Sequence, residues 1–244
     1  MTMFDLNGKK ALVTGSTQGI GFAVAKALSE HGAKVFVHGG TSYEKCKNAA
    51  EKISGAAAVC VDLSDTNAAE MLHEKTGDVD ILVLNASIQY RTPWNEIGAE
   101  EFSSQVQVNL KSVLDAMQIY SENMKKNRWG RIVIVGSVQQ HKPHKDMAIY
   151  AATKCAIMSL VANIGKQLAP YNITVNNLNP GVIATPRNDK ALSDDEYRKK
   201  VLEGIPMGYA GEPEDMTAAA LLLCSVEGRY ITGSEINVDG GMRL

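Results

Sequence analysis

Cysteine is sparse in this chain: Cys46, Cys60, Cys155 and Cys224 are the only four in 244 residues, and no two form a C-x-x-C pair. That speaks against a zinc site and a disulfide framework, and it fits a reducing compartment, so a cytoplasmic protein is expected. An excess of charge is missing too. The 25 Lys and Arg against 27 Asp and Glu leave a net charge of −2, without the basic footprint of a nucleic-acid binder. The longest apolar run, Ala218 to Cys224, is far below the ~18 residues a spanning helix needs. No basic segment followed by an apolar one opens the sequence, so neither a membrane partner nor a secretory signal is expected. There is no Gly/Ser/Pro-rich linker, charge block or internal repeat, and one domain over 1–244 is the economical expectation.

What is present is ordinary globular composition, 45% hydrophobic and 21% charged, which excludes disorder. Short β-rich runs stand at Lys10–Thr14, Lys34–His38, Ala58–Val61, Asp80–Leu84, Arg131–Val135, Thr174–Leu178 and Glu235–Val238. Between them lie longer stretches with apolar residues three and four apart, such as Ile20, Val24, Ala27 and Leu28. Runs that are apolar throughout, as in Ile81–Leu84 and Ile132–Val135, are expected of parallel strands covered on both faces. The alternation predicts an α/β fold, a doubly wound parallel sheet with helices on both faces. The least patterned stretch, 186–211, is expected to be a substrate flap near the carboxyl edge of the strands, where ligands bind in such folds.

The first strand ends in Thr14-Gly-Ser-Thr-Gln-Gly-Ile-Gly21, and an amphipathic helix follows at once. Gly15, Gly19 and Gly21 carry no Cβ, so a ligand can approach the backbone, and the helix N-terminus favours an anion. The spacing G-x-x-x-G-x-G is neither the commoner dinucleotide fingerprint nor a Walker A. A tight turn with close helix packing is the plainer alternative for such glycines. Tyr150 and Lys154 stand four apart in a helical pattern running to about Ala169, which puts both on one face. A free phenol, with a pKa of about 10, is a poor base at neutral pH. A nearby ammonium favours the phenolate, which is the tuning acid–base chemistry requires. Ser137 follows the strand Arg131–Val135 and stands where a ligand's oxygen could be met. Taken singly, each of the three is bland: a surface or core-edge residue, or a turn serine.

Other candidates have plain readings. His141 and His144 have no acidic or thiol partner at zinc spacing, so no metal site is expected. Lys125 to Arg128 reads as the polar end of a helix, Cys155 as a small helix residue, and Asp194 to Glu196 as a helix start capped by Ser193.

Together these motifs resemble the short-chain dehydrogenase/reductase family, over essentially the full length. Its T-G-x-x-x-G-I-G reads as Thr14–Gly21, its Y-x-x-x-K as Tyr150 and Lys154, and its catalytic serine as Ser137. The helix asparagine matches Asn109, the acidic residue after the third strand Asp62, and P-G-x-[IV]-x-T the segment from Pro180 to Thr185. N-N-A-G reads Leu84-Asn-Ala-Ser87, so Asn85 and Ala86 match while Leu84 and Ser87 depart. The 231–241 tail looks like the branch holding 3-oxoacyl carrier-protein reductases and sugar dehydrogenases.

The resemblance implies hydride transfer between a nicotinamide and a carbonyl or secondary alcohol. Tyr150 would be the acid or base, Lys154 its tuner and a ribose ligand, Ser137 the substrate-oxygen partner, and Asn109 the holder of a relay water. The cofactor would meet Gly15, Ser16, Thr17, Gln18, Gly19, Ile20, Gly21, Asp62, Leu63, Asn85, Ala86, Pro180, Gly181, Ile183 and Thr185. A homotetramer is implied as well. NAD enzymes of the family place an aspartate where Gly39 stands. Its absence leaves Gly39, Gly40, Thr41, Ser42 and a protonated His38 as a phosphate nest, so NADP(H) is expected over NAD(H). Gln89, Tyr90, Arg91, Gln139, Gln140, His141, His144, Arg187 and Asn188 border the expected catalytic edge. Of these, Gln89, Arg91, Gln139, His144 and Arg187, with Ser137, are the expected substrate contacts. That polar, partly cationic set suits a small sugar, polyol or keto acid better than a long acyl chain. A 3-oxoacyl carrier-protein reductase is the alternative enzyme, and a dinucleotide-binding sensor or scaffold the alternative that lacks catalysis.

Overall fold

A computed structural model describes residues 3–244, apart from the side chains of Lys190 and Ala191. Seven parallel strands form one sheet in the order β3-β2-β1-β4-β5-β6-β7. They are β1 (Lys10–Val13), β2 (Lys34–Gly39), β3 (Ala57–Cys60), β4 (Ile81–Leu84), β5 (Gly130–Val135), β6 (Ile173–Pro180) and β7 (Glu235–Val238). This is the doubly wound architecture the alternation predicts, with every expected strand found within a few residues. The central strands separate two cores. Val13, Val37, Ile81 and Val133 pack on one face, and Leu12, Leu82, Ile132 and Ile134 on the other.

Helices α1 (Gly19–Glu30), α2 (Tyr43–Ala50), α3 (Ala68–Thr76), α4 (Ala99–Val106), α5 (Ser112–Asn127) and α6 (Ala148–Leu168) connect the strands. A π turn, Gln107–Lys111, joins α4 to α5. Such bulges concentrate at functional sites, and this one carries Asn109. Helix α6 is long and apolar enough to cross a bilayer by length and composition, although no unbroken apolar run marks it in the sequence. It nevertheless buries Tyr150, Thr153, Lys154, Ile157 and Val161 against the domain, so it reads as a core helix.

The 186–211 stretch is folded rather than irregular. It contains α7 (Asp189–Leu192) and α8 (Asp195–Glu203) and precedes α9 (Thr217–Cys224). A parallel bridge between Ile183 and Gly211 pins its base. Helix α8 is capped by Asp194, whose carboxylate accepts the Tyr197 N–H at 2.8 Å, and not by Ser193. The capping carboxylate simply sits one residue later than the sequence pattern suggests.

Candidate active site

Strand order reverses between β1 and β4, and a cleft of about 420 Å³ opens beyond the carboxyl ends of the strands there. The turn after β1 forms one wall. Gly15 and Gly19 have φ of +62° and +58°, a region that favours glycine. A Cβ on Gly15 would stand 2.9 Å from the Ala86 Cα. Asn85 explains that closeness, because its Nδ2 donates to the carbonyls of Thr14 and Gly15, both at 2.9 Å. Helix α1 starts at Gly19 with no side-chain cap from Gln18. Its first amides thus have no side-chain acceptor, and Gly19, Ile20 and Gly21 line the cleft. This is a fitting seat for a dinucleotide's pyrophosphate.

Ser137, Tyr150 and Lys154 meet at the other end. Lys154 is buried; its Nζ donates to Val135 O at 2.7 Å and lies 5.6 Å from the centroid of the Tyr150 ring. Ser137 accepts the Gln139 N–H at 3.2 Å, capping a short turn. Asn109 lies behind this wall rather than on it. Its side chain pairs with both backbone groups of Ile88, at 2.9 and 2.8 Å, and approaches Thr153 at 3.4 Å.

The cleft wall also holds Thr17, Gln18, Gly39, Gly40, Asn85, Ala86, Pro180, Gly181, Ile183 and Thr185, and at the reacting end Gln89, Arg91, Gln139, His144, Arg187 and Asn188. Several expected residues stand elsewhere. The Ser16 amide donates to His38 O and its hydroxyl to Val13 O, so it ties β1 to β2. Leu63 is packed in the core. Asp62 caps its own turn through Ser64 N but lies next to Gly40. Ser42 caps α2, and Thr41 beside it is exposed. Gln140 and His141 turn away to Glu235, and Tyr90 is not part of the wall.

His38 corrects one expectation outright. It is buried, its Nδ1 accepting the Gly15 N–H at 3.1 Å and its Nε2 lying 2.9 Å from Val61 O. Those partners require the neutral ring, and burial lowers its pKa. It braces the glycine turn and is no cation for a phosphate. Sequence reasoning missed Ser87 as a contact, and also Val138, Met147, Leu192, Tyr197, Val201 and Met242 on the wall. Only the family departure at Ser87 offered a signal.

A family model described as enoyl-(acyl carrier protein) reductase matches residues 15–243. The chain is 35% identical over 237 residues to L-xylulose reductase of Bos taurus, covering 97% of each chain. The chain belongs to the short-chain dehydrogenase/reductase family. Two solved structures of similar proteins agree. One is a 3-oxoacyl (acyl-carrier-protein) reductase from Agrobacterium tumefaciens C58 with NADP bound, at TM-score 0.94 and 36% identity, covering 98% of this chain and 96% of that one. The other is a gluconate 5-dehydrogenase from Burkholderia cenocepacia J2315 in complex with NADP and tartrate, at TM-score 0.91 and 30% identity, with 98% and 96% covered.

As a short-chain dehydrogenase/reductase, the protein is an NAD(P)-dependent oxidoreductase of CH–OH groups, and the electrostatics of Tyr150 suit that chemistry. Burial opposes ionisation of the phenol and is the largest single influence. The charges of Lys154 and Arg187, with hydrogen bonds from Ser137 and Ser87, outweigh it and leave the pKa below its ordinary value. Lys154 is itself lowered, by burial first, with the Tyr150 charge acting the other way. Among the described residues no cluster of His, Cys, Asp and Glu could hold a metal.

Proposed function

We propose that this enzyme is an NADP(H)-dependent reductase or dehydrogenase of a small polar carbonyl compound, a sugar, polyol or keto acid. The observation that carries the reading is the Tyr150 phenol, held acidic between Lys154 and Ser137 in the cleft that the glycine turn opens. When bound, the nicotinamide supplies or accepts the hydride. Tyr150 gives its phenolic proton to the substrate oxygen in reduction and takes it back in oxidation. Ser137 orients that oxygen, and Lys154 holds the phenol acidic and offers its ammonium to ribose hydroxyls. Asn109, whose side chain is committed to Ile88, is assigned the water that continues a proton relay from Lys154. Pyrophosphate is assigned to Gly15, Thr17, Gln18, Gly19, Ile20 and Gly21, and the nicotinamide end to Pro180, Gly181, Ile183 and Thr185.

The cofactor preference rests on the end of β2. A Cβ at Gly39 would lie 2.9 Å from both Cys46 Sγ and Thr17 Cγ2, so the aspartate that favours NAD is absent and would have to displace those two side chains to stand there. At Gly40 a Cβ would make only ordinary contacts, with Val61 O at 3.7 Å and Asp62 Oδ1 at 4.0 Å, and the exposed Thr41 beside it offers its hydroxyl to a 2′-phosphate. Both solved relatives named above hold NADP. We expect kcat/KM at least tenfold higher with NADPH than with NADH; a tenfold preference for NADH would withdraw the assignment.

A second reading has its own support. Met147, Leu192, Val201 and Met242 give the cleft apolar wall, and one solved relative is a 3-oxoacyl carrier-protein reductase. Comparing keto sugars and keto acids with acetoacetyl-CoA in an NADPH oxidation assay separates the two. Preference for the thioester reverses their order.

The reading includes a cytoplasmic homotetramer. Four free thiols suit a reducing compartment. Trp94, Phe102, Tyr230 and Leu244 are 76%, 49%, 99% and 90% exposed, and β7 leaves one sheet edge unpaired, surfaces that association would cover. Sedimentation at micromolar concentration is expected to give four copies; a monomer would end the assignment.

A further inference from the structure

Among the described residues the wall of the cleft carries Arg91, Lys154 and Arg187 but no Asp or Glu; the Asp146 carboxylate comes to 4.0 Å from His144 Nδ1 beside it. Lys154 is engaged by Tyr150 and Val135. The two arginines differ: among the described residues neither makes an ion pair, and each is held by neutral groups. Arg187 donates from Nη1 to Ser87 Oγ at 2.9 Å and from Nη2 to Ser87 O at 2.6 Å. Two of its five N–H donors are thereby used, and the Nε–H and one hydrogen on each Nη remain. Arg91 donates to the Tyr197 hydroxyl at 3.2 Å and lies 5.6 Å from that ring's centroid.

The position of Arg187 is built by two separate features. It follows the Pro180–Thr185 turn, and its anchor is Ser87, the residue that departs from the family's glycine. A glycine could offer only its carbonyl; the serine adds the hydroxyl that fixes the second arm of the fork. Arg187 is also near enough to Tyr150 for its charge to be felt there. The pyrophosphate seat lies on the N-terminus of α1, against Thr185, whereas Arg187 is anchored on Ser87 and its charge is felt at Tyr150, where the substrate oxygen is handled.

We propose that Arg187, with Arg91 as a second cation on the same cleft wall, binds a carboxylate of the substrate, so that the physiological substrate is a sugar acid or related hydroxy or keto acid rather than a neutral sugar. An arginine fork matches a carboxylate in two parallel hydrogen bonds, and charge-assisted bonds are the strong ones. The proposal rests on the small-polar-substrate reading above and narrows it.

Two substrate pairs isolate the carboxylate: 2-keto-D-gluconate against D-fructose, and 5-keto-D-gluconate against L-sorbose. Each pair differs only by a carboxylate in place of a hydroxymethyl group. With NADPH, kcat/KM is expected to favour the acid by about 10- to 100-fold in at least one pair, the usual range for hydrogen bonds to a charged group. Arg187→Met should bring that ratio within about threefold of one, and Arg187→Lys should recover part of it. The ratio is the readout because Arg187 also neighbours Tyr150, so both absolute rates will fall. Equal use of acid and neutral partner in both pairs, or a ratio that survives Arg187→Met, would overturn the carboxylate site alone. D-Fructose 6-phosphate preferred over 2-keto-D-gluconate would give the cation to a phosphate ester and overturn it too. If NADPH binds but all these compounds are inert, the small-polar-substrate reading falls and takes this proposal with it.

Discussion

Tyr150→Phe is expected to lower kcat by about 10²- to 10⁴-fold, the usual worth of a positioned general acid or base. NADPH affinity should change by no more than about threefold, because the phenylalanine keeps the ring's volume and loses only the hydroxyl. Lys154 would keep its bond to Val135 O, so the wall stays in place. The pH profile of the wild type supplies an independent check. Tyr150 titrates below its ordinary value of 10.0, and oxidation needs the phenolate. Alcohol oxidation should therefore rise with pH to a plateau whose midpoint lies below 10, and carbonyl reduction should fall through the same midpoint. Tyr150→Phe should remove that inflection along with the rate. A variant that keeps its kcat, or a profile unaltered by the substitution, would show that another group moves the proton.

How much of this was legible beforehand depended on where the information lies. The strands were legible because burial on both faces leaves apolar runs, and Ile81–Leu84 is buried at every position. Of helix α8 only the acidic start at Asp194 to Glu196 was legible and not its extent, since none of its residues is buried and a solvated helix writes no apolar period. The glycine turn and the Tyr150–Lys154 pair are local patterns, so spacing revealed them. Met242 and Val201 reach the same cleft from far along the chain, and no local pattern could join them to Ser137. His38 failed differently. As a residue type it suggests a cation, but its charge state is set by Gly15 N and Val61 O, contacts that exist only once β1, β2 and β3 are side by side. Ser87 was visible as a departure, yet its meaning needed Arg187, one hundred residues away in sequence.

The glycine turn offers the second large effect. Gly21→Ala is expected to weaken NADPH binding by about 10- to 100-fold and to lower Tm, even though it adds a single methyl group. That methyl would lie 2.5 Å from Asn85 Nδ2, 2.5 Å from Gly15 O and 2.9 Å from Ser16 Cα. Two of those atoms are backbone, and neither can rotate away. Moving Asn85 instead would break its bonds to Thr14 O and Gly15 O, which hold the turn against β4. Overpacking of this kind costs about 1–3 kcal/mol, and each lost hydrogen bond adds about 0.5–1.5 kcal/mol. Gly15 is the hinge of the whole arrangement, because its carbonyl meets Asn85 and its amide meets His38. A shift there reaches the amides that would face pyrophosphate. Gly98→Ala is the matched control. It caps α4 at φ −81° with nothing within 4 Å of the added carbon, so less than about 1 kcal/mol should be lost and NADPH affinity should hold. Fluorescence titration with NADPH together with thermal unfolding decides between them. Unchanged NADPH affinity in Gly21→Ala would mean that the turn yields without consequence, and the pyrophosphate seat would have to be sought elsewhere in the cleft.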